Sequence, residues 1–135
     1  LVVGRAAELE NFEILPERIR KLIEETSFEL GGGQVAHITC SIGFTAYPAG
    51  LGDLEGLSLD QVVALADQAL YTAKRAGRNS WVGLLTTPET DMQRMVRALR
   101  SKSKELLRSG LDVRSSSASP VTAYDQRAIP ATIVE

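Results

Sequence analysis

The amino-acid sequence predicts an α/β or α+β domain in which helices pack against a β-sheet. Two segments have the residue spacing of amphipathic helices, and other segments have the alternating or β-branched character of strands. Their order along the 135 residues, strand, helix, strand pair, helix, strand, favours a layered sheet over a helical bundle. With 44% hydrophobic and 24% charged residues, the composition indicates neither a wholly disordered chain nor a membrane protein.

The first predicted elements are a strand and a helix. The chain opens on the apolar run LVV with no Met before it, which we interpret as a strand cut off from a longer protein. Residues 11–26 then predict a helix, and Pro16 is compatible with its first turn. The predicted apolar face of this helix consists of Leu15, Ile19, Leu22 and Ile23.

A β-hairpin is predicted around the sequence GGGQ, residues 31–34, because glycines readily adopt the positive φ angles of a hairpin turn. The following run, residues 35–44, alternates between an apolar and a mixed face and predicts one continuous strand. Its apolar face holds Ala36, Ile38, Cys40, Ile42 and Phe44. Residues 50–56, GLGDLEG, predict a loop without the Lys-Ser/Thr pair of a phosphate-binding P-loop.

The second helix has sequence signals at both of its ends. Ser58 followed three residues later by Gln61 predicts a capping box, and Gly77 is a candidate helix-terminating glycine. Apolar residues recur between them at helical spacing, and the segment ends in the basic sequence KRAGRN, residues 74–79. The next residues, SWVGLL, predict a short final strand.

The C-terminal part of the chain differs in character from residues 1–85. Residues 86–110 predict a basic amphipathic helix, with Thr87 as N-cap and Pro88 as its first residue. Residues 111–135 have little periodicity and are expected to be a flexible tail or to be ordered by a partner. Residues 1–73 carry 4 Lys/Arg against 11 Asp/Glu, a net −7, whereas residues 74–135 carry 11 against 6, a net +5.

Lys74 and Arg78 are the candidate binding residues. On a continuing helix, residues four apart project from the same side, so the two cations would form a small clamp for a polyphosphate. The alternative is that they only oppose the negative end of the helix dipole.

Other chemistry-bearing residues have structural interpretations. His37 is the only histidine and has no nucleophile pattern beside it, and Cys40 is expected to be a small core residue. Asp67 is an isolated acid in the middle of its helix with no second carboxylate to pair with it, so we predict no catalytic residue and no metal-ligand set. The cations of residues 86–110 surround that helix without aromatic residues among them, which favours a solvated or partner-docking helix over nucleic-acid binding.

The sequence ITCSIGFTAYP, followed after a loop by ALADQALYTAKRAGRNSWVG, resembles the second half of a GGDEF domain of the diguanylate cyclase family, and the resemblance covers residues 1–85. It implies a sheet wrapped by helices, similar to the palm of nucleotidyl cyclases and polymerases. It also implies a homodimer that condenses two GTP molecules into cyclic di-GMP with Mg²⁺. In the matching motif, Lys74 and Arg78 would contact the GTP phosphates.

The chain departs from that family because the Gly-Gly-Asp/Glu-Glu-Phe signature is absent, as are the metal-binding aspartate, the guanine-recognition helices and the inhibitory Arg-x-x-Asp. We therefore expect a C-terminal fragment of a cytoplasmic cyclase that contributes phosphate contacts only and is inactive alone. The upstream part of such a parent could carry a sensor domain or a membrane anchor. The alternatives are a catalytically silent GGDEF-like module that binds nucleotide or protein, and an interaction role for residues 86–135.

Overall fold

The computed structural model describes residues 11–46, 57–101 and 104–116. The predicted strand at residues 1–3 and the predicted loop at residues 50–56 lie outside these ranges, as does the part of the predicted tail beyond Ser116. The described elements are, in chain order, α1 (Ile14–Glu25), β1 (Ser27–Gly31), β2 (Gln34–His37), β3 (Ile42–Phe44), α2 (Leu59–Arg75), β4 (Trp81–Leu85), α3 (Met92–Arg100), a 3₁₀ helix (Lys104–Arg108) and β5 (Asp112–Ser115).

The strands form two separate sheets. In the larger sheet the order is β3, β4, β5, with β3 parallel to β4 and β5 antiparallel to it. The connection from β3 through α2 to β4 is therefore a βαβ crossover, in which α2 packs against both strands. The smaller sheet is the β1–β2 hairpin, turning through glycines with φ angles of 60° and 77° at Gly32 and Gly33. The mixed α/β class and the hairpin are thereby confirmed.

The core lies between α2, β4 and α3. All five residues of β4 are buried, and Leu65, Ala69 and Ala73 of α2 pack against the strand in one apolar cluster. Met95 contributes to the same cluster from α3. The predicted apolar face of α1 is only partly covered, since Leu15 and Leu22 are 51% and 68% exposed.

The start of α2 follows the sequence signal. Ser58 Oγ accepts a hydrogen bond from the Gln61 backbone N–H at 3.3 Å, and Gln61 Oε1 accepts one from the Ser58 N–H at 2.9 Å. Both halves of the predicted capping box are present. This box fixes where α2 begins, and therefore which residues reach its C-terminal end.

The single strand predicted over residues 35–44 is wrong, because the run divides between the two sheets. β2 ends at His37 and β3 begins at Ile42, with Ile38 48% exposed between them. β2 pairs with β1, whereas β3 pairs with β4 across the crossover. The alternation of apolar residues is the same whichever strand is the pairing partner, so the sequence pattern does not show the division between β2 and β3.

The predicted helix over residues 86–110 is shorter than expected, and residues 112–115 are a strand. Asp91 caps α3 by accepting the Arg94 N–H at 2.9 Å, while Thr87 and Thr90 form a preceding turn closed by Thr87 N–H to Thr90 Oγ1. β5 then pairs with β4 from Val82↔Ser115 to Leu85↔Asp112, where a flexible tail was predicted. A strand of four residues is too short to show a periodicity.

Candidate phosphate-contacting turn at the end of helix α2

The helix α2 ends in a glycine turn, as the sequence predicted. Gly77 has a φ of 117°, a conformation that glycine adopts without steric cost. The Ala76 N–H donates to Thr72 O at 2.9 Å, and the Arg78 N–H donates to Ala73 O at 3.2 Å. The second bond is the six-residue closure of a Schellman motif, which ends the helix sharply.

Two further residues after Gly77 also have positive φ angles. Arg78 and Asn79 have φ values of 61° and 43°, in the left-handed region that side-chain-bearing residues seldom adopt. The chain thus makes three consecutive left-handed residues before β4 begins at Trp81. We call residues 77–79 the left-handed turn.

This geometry changes the relation between Lys74 and Arg78. The argument from a continuing helix is wrong, because α2 stops at Arg75 and Arg78 belongs to the left-handed turn. Lys74 projects from the last helical turn instead. Both side chains are exposed, and within the described part of the chain neither forms a hydrogen bond or an ion pair. Among the described residues at this end of α2, these two cations have no side-chain partner.

Arg78 borders a shallow depression of about 300 Å³, but Lys74 does not. The depression is open to solvent and its wall is mostly polar. Its lining residues come from α1, the left-handed turn and the end of β5: Glu17, Arg20, Ala76, Gly77, Arg78, Asn79, Ser80 and Ser116. The structure therefore brings Arg78 together with residues of α1 that the sequence analysis did not single out.

Arg20 of α1 is the centre of a network that joins α1 to the left-handed turn. Its Nε and Nη2 donate to the two carboxylate oxygens of Glu17 at 3.1 and 2.8 Å. Its Nη1 donates to Glu24 Oε2 at 2.8 Å and to Asn79 Oδ1 at 3.1 Å. Asn79 Nδ2 then donates to Glu24 Oε1 at 2.6 Å, which closes a ring of hydrogen bonds.

Trp81 attaches β4 to the same network. Its indole Nε1 donates to Glu17 Oε2 at 2.8 Å. The hydrogen bond from Arg20 is the main cause that lowers the pKa of Glu17 from 4.5 to about 2, with Trp81 acting in the same direction and burial opposing both. The pKa of Glu24 is also lowered, first by the hydrogen bond from Asn79 and then by Arg20. Both carboxylates are therefore ionised at neutral pH and compensate the charge of Arg20.

Sequence reasoning could have found only half of this network. Glu17 and Arg20 are three residues apart on α1, and Arg20 and Glu24 are four apart, which are the spacings of helical ion pairs. Nothing local indicates that Arg20 meets Asn79, which lies 59 residues further along the chain.

The other sequence candidates lie apart from this turn. His37 is exposed at the end of β2, and Asp67 is exposed on α2. Cys40 is half-buried, and burial raises the pKa of its thiol. Arg94 of α3 pairs with Glu105 at 3.6 Å. Within residues 11–46, 57–101 and 104–116, no three His, Cys, Asp or Glu side chains are grouped so as to hold a metal ion.

None of the described helices combines the length and the apolar character that a membrane-spanning helix requires.

Comparison with known proteins identifies a family and several relatives to which this chain is similar. A family model described as "Diguanylate cyclase, GGDEF domain" matches residues 1–80. "Diguanylate cyclase A" of Treponema denticola is 44% identical over 63 residues, which are 47% of this chain and 15% of that protein. "Diguanylate cyclase DgcP" of Pseudomonas aeruginosa is 43% identical over 79 residues, covering 58% of this chain and 11% of that protein.

"Diguanylate cyclase DosC" of Escherichia coli is 33% identical over 82 residues, covering 58% of this chain and 16% of that protein. The chain thus spans about one sixth or less of the length of these curated relatives. No solved structure was found to match it. Because the family match covers more than half of the chain and includes both α2 and the left-handed turn, this chain belongs to the diguanylate cyclase GGDEF domain family.

Proposed function

We propose that this chain is the C-terminal part of a diguanylate cyclase, and that it contributes Lys74 and Arg78 as contacts to the phosphates of GTP. The observation that carries the proposal is the left-handed turn, which presents Arg78 at the rim of a polar depression, with its side chain exposed and without a partner among the described residues. The family match and the names of the relatives support the reaction class, the condensation of two GTP into cyclic di-GMP.

The direction of the helix dipole explains why cationic side chains are needed here. A helix C-terminus carries partial negative charge, so the end of α2 by itself disfavours a phosphate. Binding there must come from side chains, in contrast to helix N-termini, where backbone N–H groups bind anions directly. Arg78 offers a planar fork of donors and Lys74 a mobile point charge, a pair suited to phosphate oxygens that differ in direction.

In the proposed reaction, the 3′-hydroxyl of each GTP attacks the α-phosphorus of the other, and the two steps together form two phosphodiester bonds and release two pyrophosphates and the two hydroxyl protons. Lys74 and Arg78 would hold the triphosphate and neutralise part of its charge, which favours attack at a defined phosphorus. Since each GTP would be held by one chain, the working form would be a homodimer in the cytoplasm, where GTP is available. An upstream sensor domain in the parent is part of the same proposal.

Domains of this family generally use Mg²⁺, which stabilises negative charge on phosphates during phosphoryl transfer. The described residues do not supply a donor set for that ion. We therefore assign its ligands to the upstream half of the parent domain and derive no step through the metal. For the same reason we propose that the 135-residue chain alone does not convert GTP.

The test compares cyclic di-GMP formation by a parent protein and by its Lys74→Ala/Arg78→Ala variant, with GTP and magnesium. We expect kcat/KM to fall by about 100-fold or more, because the triphosphate loses both cationic contacts. A matched control is Arg97→Ala/Arg100→Ala, which removes two exposed cations from α3 and should change kcat/KM by less than about twofold.

Two results would contradict the proposal. An equal loss in both double variants would mean that overall charge, and not this turn, matters. A wild-type parent that binds GTP without forming cyclic di-GMP would favour the silent nucleotide-binding module instead. Far-UV circular dichroism and the thermal midpoint of each variant establish that the comparison is made between folded proteins.

A further inference from the structure

We infer that Arg20 is a positioning residue for the phosphate contact: through Asn79 it holds the left-handed turn that carries Arg78. This inference rests on the proposed function, because it concerns the geometry of the same contact. It assigns a role to α1, which supplies neither of the two proposed phosphate ligands.

Two hydrogen bonds to α1 hold the Asn79 side chain, one from Arg20 and one to Glu24. Arg20 Nη1 donates to Asn79 Oδ1 at 3.1 Å, and Asn79 Nδ2 donates to Glu24 Oε1 at 2.6 Å. Arg20 also holds Glu24 in place through a bond of 2.8 Å. The amide of Asn79 therefore has both its acceptor and its donor engaged by α1, which leaves the side chain one orientation.

The backbone of the turn needs such support. A left-handed conformation costs most side-chain-bearing residues about 1 kcal/mol or more, and here two of them adopt it in succession. Asparagine tolerates this region better than arginine does. A bond that fixes Asn79 therefore also fixes the adjacent Arg78, whose own side chain has no partner within the described residues.

The residues that follow the turn have contacts of their own. Ser80 Oγ donates to Ala73 O at 3.2 Å, and Ser80 O accepts the Ile42 N–H at 2.9 Å. Trp81 is held by Glu17. Of residues 78–81, Arg78 is the one whose side chain has no partner among the described residues, so the backbone of the turn, which includes its own N–H bond to Ala73 O, sets the position of that side chain.

Charge balance indicates that Arg20 acts through Asn79 and does not bind phosphate itself. Four hydrogen bonds engage all three of its guanidinium nitrogens. Two carboxylates, Glu17 and Glu24, compensate its charge at 2.8 Å each. Its side chain is 13% exposed, although it forms part of the wall of the depression. A phosphate would have to displace one of these carboxylates to reach it.

The first experiment measures the turn itself, in the full 135-residue chain. Arg20→Met removes the central donor but keeps a long apolar side chain. Its matched control is Lys21→Met, which removes one cation from the same helix at a residue whose nearest described carboxylate contact, Glu17, is 3.7 Å away. In ¹H–¹⁵N NMR spectra we expect the Asn79 side-chain amide and the Arg78 backbone amide to shift or broaden in Arg20→Met and to stay unchanged in Lys21→Met.

The second experiment measures the consequence for GTP in a parent protein. Arg20→Met should raise KM for GTP by about tenfold with a smaller change in kcat, because a displaced Arg78 weakens binding of the triphosphate. Lys21→Met should change KM by less than about twofold. If Arg20→Met does not fold, Asn79→Ala cuts the same connection while leaving Arg20 paired with Glu17 and Glu24, and it should give the same rise in KM.

The outcomes separate the two proposals. A wild-type parent that neither binds nor converts GTP overturns the proposed function, and the positioning role with it. A working parent in which Arg20→Met and Asn79→Ala behave like Lys21→Met overturns the positioning role alone. A rise in KM with unchanged Arg78 and Asn79 resonances would also overturn it, since Arg20 would then act on GTP without moving the turn.

Discussion

At the scale of single residues, Glu17 couples the stability of the fold to pH. Its carboxylate accepts hydrogen bonds from Arg20 and Trp81, and its pKa is lowered from 4.5 to about 2. A carboxyl whose pKa is depressed by folding stabilises the folded state above its unfolded pKa, and this contribution is lost as the pH falls toward the folded pKa. We expect the urea midpoint to fall between pH 4.5 and 2 as Glu17 is protonated.

The change should be modest, because the Glu17 side chain is 30% exposed and exposed ion pairs contribute little. The fluorescence of Trp81, which donates to Glu17, reports the unfolding transition at each pH. Glu17→Gln is the control, since it keeps the shape of the side chain and removes its titration. If wild type and Glu17→Gln lost stability in parallel below pH 4.5, other carboxyl groups would be responsible for the acid response.

The individual residues also show how much of the candidate site the sequence could predict. Lys74 and Arg78 were identified from a basic cluster at a helix end, and Gly77 from the chemistry of helix termination. Their relative geometry was predicted wrongly, because the sequence does not show that Arg78 and Asn79 would both adopt positive φ angles. Asn79 of this turn bonds to Arg20 and Glu24 of α1, contacts that no local pattern encodes.

At the scale of elements, β3 and α2 approach each other closely at Gly43. A Cβ atom added there would lie 2.0 Å from Leu70 N and 2.4 Å from Ala66 O, both backbone atoms of α2. Neither can move without displacing the helix. We therefore expect Gly43→Ala to destabilise the protein by about 3 kcal/mol or more, as measured by urea denaturation.

Gly32→Ala is the matched control for this substitution. Gly32 has a φ of 60° in the hairpin turn, and a Cβ there would meet nothing within 4 Å. The cost of that substitution should be the backbone strain alone, about 1 to 2 kcal/mol. Equal losses for the two variants would mean that the β3–α2 approach is looser than these distances indicate.

The same elements show which structural features the sequence could predict. The start and end of α2 depend on residues within four positions of each other, and the hairpin depends on adjacent glycines, so all three were predicted. The division between β2 and β3 and the pairing of β5 depend on contacts between distant segments. Such contacts are decided by the whole fold, and the sequence pattern alone does not determine them.

At the scale of the whole molecule, the described residues between 86 and 116 contribute side chains to the core, although the family match ends at residue 80. β5 covers one edge of β4, and Ser116 closes the pairing by accepting the Trp81 N–H at 3.0 Å. Arg114 also joins this segment to Glu13, just before α1, at 3.1 Å. The buried side chains of the segment include Met95, Leu99, Leu106 and Leu111.

Truncation after Leu85 should therefore unfold the chain or make it aggregate. Burial of each Leu or Met side chain stabilises a protein by about 1.5 to 3 kcal/mol, so the loss of four approaches the whole stability of a small domain. The edge of β4 that pairs with β5 would also be open to other chains. Size-exclusion chromatography and urea denaturation measure both effects. Truncation after Ser116 is the control because it keeps every contact described here, and a 1–85 chain as stable and monomeric as this control would show that the segment is dispensable.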